Sequence, residues 1–316
     1  MHARRPPAPL LYGALLLHTL LSAGTYLWAK RALHEIPALP LGMLRFAGAS
    51  GLLALLLLRL RPPGQRLPPR AAWRKLLLLS FVAVPLNQGF FLYGLQLSTA
   101  AHASLLYTLT PLFVLLMALA LIGEAPGLRT TAGTALALGG TVYVLIQRGL
   151  DLGRGPLVGD LLLLIAVLAW AIYTAEGRTL VAQFGALPTI AWTLIGGTAL
   201  FLPFGMGSLF WRSSREAVAH ASPQAWWGLV YLITVTSVIA YLLWYFGLKH
   251  LTAARVAIFT NLQPLATALL AHVFLGERIT IGFLAGAAVV IFGVLLAQWR
   301  PPDAPEEALI ESPARN

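Results

Sequence analysis

Apolar residues run through this chain in blocks of roughly twenty, and polar residues fall mostly between the blocks. A helix needs about 20 mainly apolar residues to cross a hydrocarbon layer roughly 30 Å thick. Ten blocks reach that length: 9–29, 38–59, 75–96, 100–121, 130–147, 158–178, 186–206, 226–248, 253–275 and 280–299. The connections around 60–74, 148–157 and 207–225 carry the proline, glycine, arginine and serine of loops. From residue 300 onward, prolines and acids replace apolar residues, which predicts a disordered tail over 300–316. The pattern therefore predicts an all-α integral membrane chain of ten transmembrane helices.

The blocks also repeat. Tyr93-Gly-Leu, Thr99-Ala-Ala, Pro111, Gly123-Glu124, Gly133 and Gly140 recur 153 positions later as Phe246-Gly-Leu, Thr252-Ala-Ala, Pro264, Gly276-Glu277, Gly286 and Gly293. A weaker match at a spacing of 147 relates Tyr26 to Tyr173 and Arg31 to Arg178. Each copy holds five predicted spans, giving units at 1–150 and 151–299. Five is odd, so the second unit enters the membrane from the opposite face. The expectation is two inverted five-helix repeats, an arrangement used by secondary transporters with a site near the midplane.

Composition agrees with the pattern. Hydrophobic residues make up 58% of the 316, charged residues 10%, and mean hydropathy is +0.78. Soluble domains carry about a quarter charged residues. The net charge of +11 does not point to nucleic acid, because the basic residues form no stripe interleaved with aromatics. They serve instead to orient the chain. With the N-terminus inside, fourteen Lys and Arg fall on the inner side and seven on the outer, and Arg45 lies within a span. This places both termini in the cytoplasm. Arg4 and Arg5 before an apolar run resemble a secretory signal, but that run continues through Trp28, so an uncleaved first span is expected. There is no cysteine, and the seven histidines are scattered, so neither a metal site nor a cofactor is expected.

The motifs identify a family resemblance. Leu86-Asn87-Gln88 with Tyr93-Gly94-Leu95, Pro111, Gly123-Glu124 and the second copy around Tyr241, Trp244, Pro264 and Gly276-Glu277 resemble the EamA-type permeases of the drug/metabolite transporter (DMT) superfamily. The resemblance implies a ten-helix inner-membrane permease with a central cavity, often an exporter. It departs at Ala23-Gly24, where many members carry Trp-Gly.

Several side chains inside the predicted spans are candidates for a solute site. Pro111 and Pro264 fall near span centres, where proline removes a backbone hydrogen bond. Each would break its helix beside a cavity or improve packing by a kink. Thr110, Asn261 and Gln263 lie within a turn of them. Asn87 and Gln88 would either bond between helices or face a substrate. Tyr26, Tyr107, Trp170, Tyr173, Tyr241, Trp244 and Tyr245 form an aromatic set at depth, the first six being the stronger candidates for a cavity wall. His18 in the first span could shuttle a proton or be a packing residue. Arg45 could attract an anion, but reads better as paired or snorkelling. Glu176 is placed at the cytoplasmic mouth. Glu124 and Glu277 read as caps at helix N-termini. Gly133, Gly140, Gly286 and Gly293 suit close helix packing, and the resemblance leaves a homodimer open.

A small-molecule substrate and membrane lipid are thus the expected partners, with no nucleic acid. Efflux of amino acids or drug-like amphiphiles is the expected activity, with uptake or exchange of another metabolite as the alternative. A membrane-embedded transferase would need clustered acids or histidines, and a non-transporting scaffold would show no flux. No G-x-x-x-x-G-K-[ST] stretch supplies an ATP motor.

Overall fold

The computed structural model describes residues 6–60, 68–98, 103, 106–123, 125–147, 157–266, 269 and 281–299. The Thr99–Ala101 stretch, Glu124, Gly276-Glu277 and the tail from residue 300 lie outside them. The described residues are mostly helical, with no strand among them. The main helices are α1 (Ala8–Leu33), α2 (Ala38–Leu60), α3 (Arg70–Leu97), α4 (Thr110–Ile122), α5 (Leu128–Gln147), α6 (Leu157–Phe184), α7 (Ala186–Ser208), α8 (Pro223–His250), α9 (Ala253–Ala257) and α10 (Ile281–Gln298). A short helix, Arg212–Ala219, lies between α7 and α8.

Seven of these are long and apolar enough to cross a membrane: α1, α2, α3, α6, α7, α8 and α10. The helix α5 covers the predicted 130–147 but is not one of the seven, and α4, of 13 residues, begins at Thr110, ten residues into the predicted 100–121. The predicted span 253–275 is described only as far as Ala266, plus Leu269. Surface and interior are inverted relative to a soluble protein. Leu58, Leu27 and Phe292 are at least 60% exposed, whereas Arg45, Asn87, Ser237 and Asn261 are at most 1% exposed.

The two repeats interlock. The helix α1 runs antiparallel along α8: Tyr231 OH donates to Leu21 O (2.7 Å), Thr25 and Thr236 share a hydroxyl bond (3.0 Å), and a Cβ on Gly247 would meet Leu15. Its counterpart α6 packs along α3 in the same way. Asn87 Nδ2 donates to Ala166 O (2.6 Å), and a Cβ on Gly94 would meet Gly159 O at 2.8 Å. The pairs α1·α8 and α6·α3 are related by the 147 and 153 offsets of the repeat. Each unit's first helix therefore packs on the other unit's third. The helices α2 and α7 also cross antiparallel, with Ser50 and Thr198 hydroxyls 2.8 Å apart and Met43 beneath Gly205.

The glycine faces of α5 and α10 close the arrangement. A Cβ on Gly133 would lie 2.5 Å from Gly293 O, and one on Gly140 would lie 3.1 Å from Gly286 O. Gly133 corresponds to Gly286, and Gly140 to Gly293, at an offset of 153. Each glycine thus meets the counterpart of the other, the contact rule of a two-fold axis, here within one chain. This stripe is consumed inside the protein.

Two departures from regular α-helix were not expected. Val82–Gly89 in α3 and Leu232–Ala240 in α8 are π-helical. Pro85 lies inside the first; its ring clashes with the preceding turn, and a wider turn relieves the clash. The second contains Ile233, Thr234, Val235 and Thr236, whose branched Cβ atoms crowd an α-turn. Pro111 and Pro264 do not bend the middles of helices. Thr108 and Leu109 form a turn and α4 begins at Thr110, so Pro111 stands in the first turn, where its missing N–H is harmless. Pro264 follows the tightened 3₁₀ segment Ile258–Leu262. The helix is interrupted one turn before each proline.

Candidate functional site

A cavity of about 70 Å³ lies where the two repeats meet. Its wall is supplied by both. From the first come His18, Ser22, Thr25, Tyr26, Arg45, Gln88, Phe91 and Tyr107; from the second, Trp170, Thr236, Tyr241, Thr260 and Gln263.

Helix periodicity explains which side chains reach it. On α1 the lining residues fall at i, i+4, i+7 and i+8 from His18, one face of a 3.6-residue helix. In the 3₁₀ segment, residues three apart eclipse one another. Thr260 in that segment and Gln263 just after it, three residues apart, share one face and line the cavity, while Asn261 between them does not. Tyr26 OH reaches Gln263 Oε1 at 3.4 Å, joining the repeats across the cavity.

Two aromatic clusters stand at different depths. Tyr26, Phe91 and Tyr107 form one, with ring centroids 5.5–6.0 Å apart. Trp170, Tyr241 and Trp244 form the other, with Trp170 lying 5.3 Å from Tyr241 and 5.6 Å from Trp244. His18 joins the second cluster, 4.8 Å from Trp244. It lies two turns from Tyr26 on α1, about 12 Å at 1.5 Å per residue. His18 Nδ1 donates to the Ala240 carbonyl (2.8 Å), since a carbonyl only accepts, and Ser22 Oγ lies 3.3 Å from Nε2. Both ring nitrogens are thus engaged.

Beyond the clusters, α3 and α6 are clasped at both ends. Lys75 pairs with Glu176 and donates to Thr179 Oγ1 (2.7 Å) at one end. At the other, Ser98 Oγ donates to Asp160, while Lys30 Nζ of α1 donates to Leu95 O (2.8 Å) and Ser98 O (2.6 Å) and so ties α1 to the same end of α3.

The structure brings Tyr26, Gln88, Tyr107, Trp170, Tyr241, Gln263 and His18 together at the cavity. Asn87, Thr110, Tyr173, Trp244 and Asn261 are buried beside it but are not in its wall. Asn87 is turned to the Ala166 carbonyl, and Tyr173 OH shares a bond with Thr193 Oγ1 (2.8 Å). Ser22, Thr25, Phe91, Thr236 and Thr260 line the cavity although sequence reasoning passed over them. In a membrane span, a lone hydroxyl or phenyl looks like packing; the i, i+4, i+7 row on α1 was the available signal. Arg45 does not snorkel, and among the described residues it pairs with no acid. It is 1% exposed, lines the cavity, donates from Nε to Ser237 Oγ (2.9 Å) and lies 4.8 Å over the Phe46 ring.

The sequence matches the EamA-like transporter family over residues 10–146 and again over 157–299. The chain belongs to that family. An "Uncharacterized transporter" of Archaeoglobus fulgidus is 30% identical over 283 residues, 89% of this chain and 95% of that one. The "Uncharacterized transporter YetK" of Bacillus subtilis is 29% identical over 87% of this chain and 83% of its own. The "Uncharacterized protein PA1977" of Pseudomonas aeruginosa is 31% identical over 87% and 92%. A solved crystal structure at 22% identity superposes with a TM-score of 0.71, covering 90% of this chain and 95% of its own, and so shares the fold. This EamA-family protein is a multi-pass membrane transporter.

Proposed function

We propose that the protein is a secondary transporter that exports small organic solutes by alternating access. It would sit in the cell inner membrane with both termini in the cytoplasm, as ten spans in two inverted five-helix units, 1–150 and 151–299. The observation that carries this reading is the cavity itself, walled by both repeats and set among aromatic clusters at two depths. Rocking one unit against the other would open the first cluster while the second holds, and then the reverse. Tyr26, Gln88, Tyr107, Trp170, Tyr241 and Gln263 would contact solute in the wall. Asn87, Tyr173, Trp244, Thr110 and Asn261 would hold that wall in place, and Pro111 and Pro264 would mark the helix interruptions on which the units flex. His18 would couple transport to protons only if the Ser22 and Ala240 contacts open during the cycle.

A cavity of about 70 Å³ holds on the order of five waters at ~15 Å³ each. Drug-sized ligands occupy pockets of about 300 Å³ or more. In this conformation the smaller of the expected solutes, of amino-acid size, is favoured. Uptake or exchange would use the same geometry, so direction is settled by measuring flux both ways. Proteoliposomes loaded with a mixture of labelled amino acids and small organic acids test the proposal. Wild-type protein is expected to release a fraction of the mixture, and Trp170→Ala and Gln88→Ala to lower the rate at least about tenfold, the loss for roughly 1.4 kcal/mol of solute contact. Unchanged flux in both variants would remove these residues from the site.

A further inference from the structure

Arg45 stands in the cavity wall without an anionic partner among the described residues. Its guanidinium keeps its proton in proteins, and it is 1% exposed. Nε is satisfied by the Ser237 hydroxyl, and Nη1 has no partner among the described residues. The carboxylates among the described residues are engaged elsewhere: Glu35 with Ser222, Asp160 with Ser98, Glu176 with Lys75 and Glu216 with Arg212. None of them lines the cavity. A buried cation is costly unless an anion and hydrogen bonds compensate it. Its neighbours in the wall also have capacity to spare, since Tyr241 OH and Gln88 Oε1 are buried without partners among the described residues.

We infer that Arg45 is the recognition group for a carboxylate carried by the solute. The proposal rests on the transporter reading and narrows its substrate class to small organic carboxylates. The planar guanidinium presents donors in a fork that matches a carboxylate. Nη1 would donate to one carboxylate oxygen, and Tyr241 OH is placed in the same wall as a second donor. The apolar portion of the solute would lie against Trp170 and Phe91. Among the described residues the wall holds no acid to receive an ammonium, so the carboxylate is the required feature and an amino group is not. Room for about five waters fits a solute of three to six carbons. The position of Arg45 over Phe46 keeps the guanidinium plane fixed while Nη1 stays available.

The test uses the full-length protein in lipid nanodiscs. Its thermal unfolding is measured with carboxylates of three to six carbons, among them 4-methylpentanoate and L-leucine, and with the matching neutral amides and amines. The expected result is a rise in Tm with one or more carboxylates, with or without an amino group, and none with the amides or amines. Arg45→Gln should weaken that binding roughly thirtyfold or more, the effect of leaving a charged group unpaired. Arg45→Lys, which keeps the charge but loses the fork, should fall between. Size-exclusion profiles and the Tm without ligand confirm that both variants fold; should Arg45→Gln fail that check, Arg45→Lys and the carboxylate–amide comparison decide the matter. Equal shifts with carboxylates and amides, no shift with any carboxylate, or undiminished binding in a folded Arg45→Gln would overturn the inference. The same compounds in proteoliposomes separate the two claims. Flux of amines or amides without carboxylate binding sinks the Arg45 assignment and leaves the transporter standing, whereas flux of no solute class sinks the transporter reading itself.

Discussion

Individual side chains in this protein are used in two ways, and depth in the membrane does not tell them apart. Asn87 and Gln88 are adjacent at the same depth. Asn87 Nδ2 is spent on the Ala166 carbonyl, and Gln88 faces the cavity, because successive residues of the π-helical stretch Val82–Gly89 project in different directions. Outside the spans, Glu35 illustrates a different arrangement. Its two carboxylate oxygens accept from the Ser222 backbone N–H and hydroxyl, each at 2.6 Å, and Ser222 in turn caps α8. The Ser222 hydroxyl, then its backbone N–H, holds the Glu35 carboxyl below its ordinary value of 4.5. A depressed folded-state value means the stabilisation is complete above the unfolded value and is lost as pH falls through the folded one. Thermal stability should therefore be level from pH 7 to about 5 on this account and decline below 4.5. Ser222→Ala should flatten that acid-side decline, measured as Tm against pH. An identical pH profile in the variant would show that the Glu35 clasp is not responsible.

At the level of helices, small residues set how closely the repeats approach. Gly133 and Gly139 lie on the same helix, α5. A Cβ at Gly133 would meet backbone atoms of Gly293 and Ala297 at 2.5 and 2.7 Å, whereas one at Gly139 would meet nothing within 4 Å among the described residues. Backbone cannot rotate away as a side chain can. Gly133→Ala should cost about 1–3 kcal/mol, the usual penalty for overpacking. Gly139→Ala should stay within about 0.5 kcal/mol of wild type. Thermal unfolding of both in detergent checks this, and equal effects would mean that α5 and α10 are not in close contact. Much of this level was legible in the sequence. The 153-residue offset already paired Gly133 with Gly286 and Gly140 with Gly293. What it could not give was their partner, since a glycine stripe serves a dimer or an internal seam equally well. The π-helical stretches were also hidden. They follow from how Pro85 and the β-branched run at 233–236 resolve steric crowding, and both look like ordinary apolar helix when read as pattern. At the site, aromatic and amide side chains at depth signalled Tyr26, Gln88, Trp170 and Tyr241. Ser22, Thr25, Thr236 and Thr260 were missed because a threonine in a span can equally bond its own helix, as Thr141 does to Ala137 O (2.8 Å).

At the scale of the whole molecule, one geometric relation organises the helices. The pairs α1·α8 and α6·α3 are copies of each other, and α2·α7 and α5·α10 lie across the same two-fold relation. A cavity that sits between such units can open to either face by exchanging equivalent contacts. Thr236 lies in its wall, in the π-helical stretch of α8, and the natural chain contains no cysteine. Thr236→Cys therefore gives a single thiol without further changes. The most direct measurement is its reaction with a membrane-impermeant thiol reagent applied to one face of the membrane and then, separately, to the other. The account predicts labelling from both faces, at different rates, and slower labelling when transported solute is present. Labelling from one face only, or none from either while a control variant, Ser213→Cys at an exposed position of the 212–219 helix, reacts, would contradict it.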